Sequence, residues 1–137
     1  MQIFDFKISE VSYNQPKLCS NTTWNPNGTT LANISIVGSG SYALYIDSHN
    51  TIYTVNQQKN HILIWKNGNI NPSTVLYSNL SLPRSIFVTS NGNIYVGDNS
   101  SIQQISYANS SRLIMQVSSY CMGLFIDITN SIYCSID

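Results

Sequence analysis

The chain has 137 residues, 42% hydrophobic and only 9% charged, with six basic and six acidic side chains and no net charge. Its length and apolar fraction suit one domain with a real core, whereas four Lys and two Arg scattered along a neutral chain lack the basic surface that nucleic acid requires. No apolar run approaches the ~20 residues of a membrane-spanning helix.

In chain order, residues 1–14 come first, with Ile3, Phe4, Phe6, Ile8, Val11 and Tyr13 spaced as in a strand. Asp5, Lys7, Ser9 and Glu10 interrupt the apolar stretch that a secretory signal needs. Residues 37–41 (VGSGS) lack the Lys of a phosphate-binding loop and open no helix, so they read as a linker. Three stretches then align without gaps: 42–53 (YALYIDSHNTIY), 84–95 (RSIFVTSNGNIY) and 122–133 (MGLFIDITNSIY). Column by column, small Ala43, Ser85 and Gly123 precede an apolar triplet whose middle member is Tyr45, Phe87 or Phe125. An Ile-Tyr pair closes each stretch in the same register, ending at Tyr53, Tyr95 and Tyr133.

Each stretch is an apolar run, a polar loop rich in Asn or Gly, and a second apolar run, which predicts a hairpin. Further strand-like runs follow at 61–66 (HILIWK) and 74–77 (TVLY), and again at 102–106 (IQQIS) and 112–117 (RLIMQV). One repeat is therefore four short strands in about 40 residues, and no segment carries a helical period. The unbroken apolar triplets predict strands covered on both faces. Four-stranded antiparallel sheets at this spacing, packed face to face, describe blades of a β-propeller; a β-sandwich, the other all-β arrangement, has no reason to repeat at a fixed interval.

These residues resemble NHL repeats, the propeller family named for Asn-His-Leu. The first repeat carries the resemblance most fully, with Asn60-His61-Ile62 where the family name falls; the second keeps the hairpin and Asp98 but lacks the Asn-His pair. Upstream, residues 22–33 (TTWNPNGTTLAN) resemble the closing strands of a preceding blade. The resemblance implies an all-β, partial propeller of NHL type: two full blades at 41–80 and 81–120, the end of a preceding blade and a linker within 1–40, and the first hairpin of another blade at 121–137. Propellers close with about four to eight blades, so the chain reads as a fragment of a larger ring. The surroundings of Cys19, Cys121 and Cys134, especially CMGLFIDITNSIYCS, resemble extracellular NHL-repeat proteins.

The chemistry available is thin. Some NHL-like propellers are lyases or lactonases that hold a divalent metal in the central channel, which needs inward His, Asp or Glu from several blades. The pool here is Asp5, Glu10, Asp47, Asp98, Asp127, Asp137, His49 and His61. Asp47 and Asp127 share one repeat position, where the second repeat has Thr89, and an oxygen at a strand–turn junction reads as a turn former. His49 belongs to a hairpin loop, and His61 to a structural polar contact at a strand start. Tyr53, Tyr95 and Tyr133 read as packing residues with tethered hydroxyls, and Trp24 and Trp65 as blade-edge packing. No catalytic set, metal site or cofactor is expected.

Cys121 and Cys134 flank one hairpin and are the candidate disulfide; a turn near Thr129 sets Cys134 opposite Phe125, so a direct bridge needs a bulge or shift. Asn21, Asn27, Asn33, Asn79, Asn99 and Asn109 stand in glycosylation sequons, where composition alone gives roughly four. Sequons and cysteines favour an extracellular protein or ectodomain over a cytoplasmic one. The expected function is a non-catalytic interaction module that binds a protein or glycan through loops of one propeller face. An array that stands alone is expected to close by self-association or to sit on a partner, and the alternative function is part of a channel-metal enzyme whose ligands lie in other blades.

Overall fold

A computed structural model describes residues 21, 23, 26–28, 30–66, 69–77 and 79–136. The expected strand at 3–13, together with Asp5, Glu10, Cys19, Trp24 and Asp137, lies outside the described residues. Ten strands and one helical turn make up the architecture of the described residues. Strands β1 (Leu44–Ile46), β2 (Ile52–Asn56), β3 (His61–Trp65) and β4 (Thr74–Tyr77) form one antiparallel sheet in that order. Strands β5 (Ser85–Val88), β6 (Ile94–Gly97), β7 (Ser101–Ile105) and β8 (Ser111–Gln116) form a second, and β9 (Cys121–Ile126) pairs with β10 (Ile132–Ile136) as a hairpin.

Two sequence expectations are corrected upstream of β1. Ile34–Val37 is a single helical turn, α1, although no helical period marks it. Asn33 explains it locally: its extended backbone and a side-chain oxygen that accepts from Ser35 N–H cap the turn. The described residues between 23 and 33 carry no strand, where closing strands of a preceding blade were expected.

The hairpins repeat atom for atom. At Asp47, Thr89 and Asp127 the N–H donates to the carbonyl four residues on (Thr51, Asn93, Ser131), at 3.0–3.1 Å. The residue three positions on, Asn50, Gly92 or Asn130, returns a bond and has φ of 59°, 80° or 64°. Only Gly and Asn reach that left-handed region cheaply, which is why those two residue types recur there. Ser106 to Ser110, with Asn109 at φ 57°, makes the same turn between β7 and β8. The turns set the register, so Tyr45 faces Tyr53, Phe87 faces Tyr95, and Phe125 faces Tyr133.

Strand β5 packs against both β1 and β9, so the first strands of the three units form a row. Along it Tyr45, Phe87 and Phe125 stack edge to face, with ring centroids 5.3 and 5.4 Å apart. The core lies between the units: Val55, Ile62, Ile64, Leu76, Ile86, Val88, Ile94, Val96 and Ile126 are all buried. Gly97 on β6 sits where no side chain fits, since a Cβ there would come within 2.6 Å of Cys121 Cβ and closer still to Ser85 Oγ.

The apolar triplets were expected to be covered on both faces. That holds for Ile86, Phe87 and Val88, but Leu44 is 60% and Phe125 44% exposed. The difference is positional: β5 has neighbours on both sides, and among the described residues β1 and β9 each have such a neighbour on one side.

Candidate functional site

Strand direction sorts the loops into two ends. At one, the Asp47, Thr89 and Asp127 turns join first strands to second strands. Asp47 Oδ1 accepts from His49 N–H and Thr51 N–H, and Oδ2 accepts from Tyr53 Oη at 3.1 Å. Asp127 repeats this with Thr129 N–H, Ser131 N–H and Tyr133 Oη, adding the Thr129 hydroxyl. That hydroxyl first, and the Ser131 amide next, hold the Asp127 carboxyl below its ordinary value. Thr89 Oγ1 accepts from Asn93 N–H in the second unit. The carboxylates at this end are thus engaged in their own turns, and Tyr53, whose ionisation is pushed up by burial first and then by Tyr107 and Asp47, is a locked donor.

Asp98, at the end of β6, is 2% exposed. Its Oδ1 accepts from Ser100 N–H, Ser101 N–H and the Ser101 hydroxyl, and its Oδ2 from Gln103 Nε2 and Ser81 N–H. It ties the β6–β7 loop to the connection leading into β5. Asn56, its counterpart on β2, accepts from Lys59 N–H and donates to Ile36 O of α1. Among the described residues no three His, Cys, Asp or Glu side chains converge.

His49 is exposed on its loop. His61 is 8% exposed and stacks edge to face on Tyr77 at 5.5 Å. The polar contact expected of it is absent at Nε2, which is buried without a hydrogen-bond partner. Burial, then the charge of Lys59, lowers its pKa. Trp65 ends β3, buried, its indole N–H donating to Ile70 O.

Cys121 and Cys134 are bridged, with Cα atoms 5.6 Å apart. Cys134 faces Leu124 rather than the expected Phe125, and the register shifts between Ser135 and Ile136, which faces Cys121. Of the sequon asparagines, Asn21, Asn27, Asn33, Asn79 and Asn109 are exposed and Asn99 is half-buried. Asn79 and Asn109 line one open groove, where Asn109 Oδ1 accepts from Tyr77 N–H.

The opposite end, where β1, β5 and β9 begin, holds a group that the sequence reading missed. Arg84 lies with its guanidinium carbon 3.9 Å from the Tyr120 ring centroid and 5.3 Å from that of Tyr42. Its Nη1 reaches Met122 Sδ at 3.5 Å, and its Nε is buried with no hydrogen-bond partner. The signal was present in the alignment: Tyr42, Arg84 and Met122 occupy the first column of the repeat. Packing β1, β5 and β9 side by side turns that column into a cluster.

Comparison with protein-family models and with curated proteins gives no match.

Proposed function

We propose that the chain is part of an NHL-type β-propeller, and that it is a non-catalytic interaction module which binds a protein or glycan through loops at the end where the first strands begin. The row of first strands, with a four-stranded meander running outward from each of two of them, supports the propeller reading. The Cys121–Cys134 bridge and the exposed sequons support an extracellular setting.

The observation that carries the binding role is the contrast between the two ends. Asp47 and Asp127 at one end are engaged by their own turns. The other end presents Tyr42, at 58% exposure, and Met122, at 42%, around a cation. Tyr, Trp and Arg are enriched among the few residues that carry most of the binding energy at protein interfaces.

A peptide-display library and a glycan array probed with the chain test this reading. Ligands should bind the wild type and lose at least tenfold in affinity to the Tyr42→Ala, Tyr120→Ala double variant, while His49→Ala at the opposite end leaves them unchanged. Ligands that lose affinity with His49→Ala and ignore the double variant would overturn it.

A further inference from the structure

Four described cations can be traced to their surroundings. Arg112 Nη2 donates to Gln104 Oε1, Lys66 lies over the Tyr107 ring, and Lys59 stands beside His61. Arg84 differs in lying against two aromatic rings, half-buried, at the start of the middle first strand. A guanidinium carries five N–H donors in a rigid planar fork. Among the described residues the acceptor that it meets is one thioether sulfur, a weak one. The three described carboxylates, Asp47, Asp98 and Asp127, are all bonded to backbone amides and hydroxyls instead.

We propose that Arg84, packed against Tyr42 and Tyr120, is an anchor for a carboxylate, supplied by an acidic side chain of a protein partner. The inference rests on the interaction-module reading above and names the chemistry that it recognises. The two rings pack against the guanidinium at 3.9 and 5.3 Å, which restricts the side chain before binding, so less freedom is lost when a partner arrives, and they take water from its surroundings, which strengthens an ion pair there. The terminal nitrogens match a carboxylate bidentately. One guanidinium complements one negative charge, whereas a phosphate group calls for several donors and charges together. Met122 Sδ yields its contact readily, because a thioether is a poor acceptor beside a carboxylate.

The chain contains two arginines, so a proton–nitrogen NMR spectrum of the arginine Nε–H groups holds two signals, assigned with Arg112→Lys. The probe is hexaglutamate, acetylated and amidated at its ends, with hexaglutamine as the neutral control. The Arg84 signal should shift saturably with hexaglutamate and stay in place with hexaglutamine. Affinity should drop at least tenfold in Arg84→Gln, stay within twofold in Arg112→Gln, and survive Tyr120→Phe, which keeps the ring face, better than Tyr120→Ala. Inorganic phosphate that shifts the same signal at lower concentration would overturn the assignment to a carboxylate. If backbone amides at 57–60, 79–84 and 117–120 respond while the Arg84 signal does not, the binding end stands and the anchor falls. If the responding amides lie only around 47–51 and 127–131, the reading of this end as the interface falls as well.

Discussion

One repeat position, Asp47, Thr89 or Asp127, supplies the side-chain oxygen that closes each first hairpin. Asp47 satisfies two loop amides and holds the hydroxyl of Tyr53, a residue only 3% exposed, so one side chain ties a turn to the core. Asp47→Ala leaves those donors unpaired and should lower stability by about 1–2 kcal/mol in urea unfolding; Asp47→Asn keeps the Oδ1 acceptor and should cost less. His61 gives the molecule a pH dependence of definite sign. Its folded-state pKa lies below the ordinary 6.5, so the unfolded chain takes up a proton first as pH falls. Stability is full above about 6.5 and declines as acid carries the solution toward the folded-state value. In His61→Phe, where the ring contact with Tyr77 is retained, the unfolding midpoint should be flatter between pH 7 and pH 5 than in the wild type.

At the scale of elements, the β9–β10 hairpin depends on more than its ladder. Two strands alone are marginal in water, and this pair exposes Met122, Phe125, Tyr133 and Ile136. The bridge between Cys121 and Cys134, 13 residues apart, restrains the hairpin covalently, and Ser85 Oγ fastens it to β5 by donating to Cys121 O at 2.7 Å. Replacing both cysteines by serine should lower stability by about 2–3 kcal/mol, from the loop-closure entropy of a segment this long. Hydrogen exchange should localise the loss, with β9 and β10 amides exchanging faster and β2 and β3 amides little changed. Equal acceleration throughout both sheets would show that the hairpin unfolds together with the rest.

The molecule as a whole is held together along the row of first strands. Tyr45 and Phe87 meet edge to face across the boundary between the two four-stranded sheets, and both are buried. A double-mutant cycle on Tyr45→Ala and Phe87→Ala should return a coupling of about 0.5–1.5 kcal/mol, because truncating either ring removes this edge-to-face contact. A coupling near zero would mean that the sheets stand side by side without this contact holding them. The same row gathers Tyr42, Arg84, Tyr120 and Met122 at its starting end, so the packing that stabilises the molecule also builds the proposed carboxylate anchor.

Local signals wrote much of this into the chain. Asn50, Gly92 and Asn130 mark the left-handed turn positions because few residue types reach them, and the Ile-Tyr pairs mark the returning strands because an apolar run needs burial. The turn-forming part of Asp47, Thr89 and Asp127 was legible for the same reason, since each acts on amides within four residues. Contacts between distant residues were not legible. The helical turn at Ile34–Val37 is too short to leave a period, and its Asn56–Ile36 bond spans 20 positions. The exposure of Leu44 and Phe125 depends on which sheet stands next to them, and the unpartnered Nε2 of His61 on what is packed around it. The sequence by itself determined turns, strands and their repetition, which rest on conformational preferences within a few residues. Tertiary structure alone decided which faces are covered and how Tyr42, Arg84 and Tyr120 meet, because the distances between separate sheets are set by packing and not by spacing along the chain.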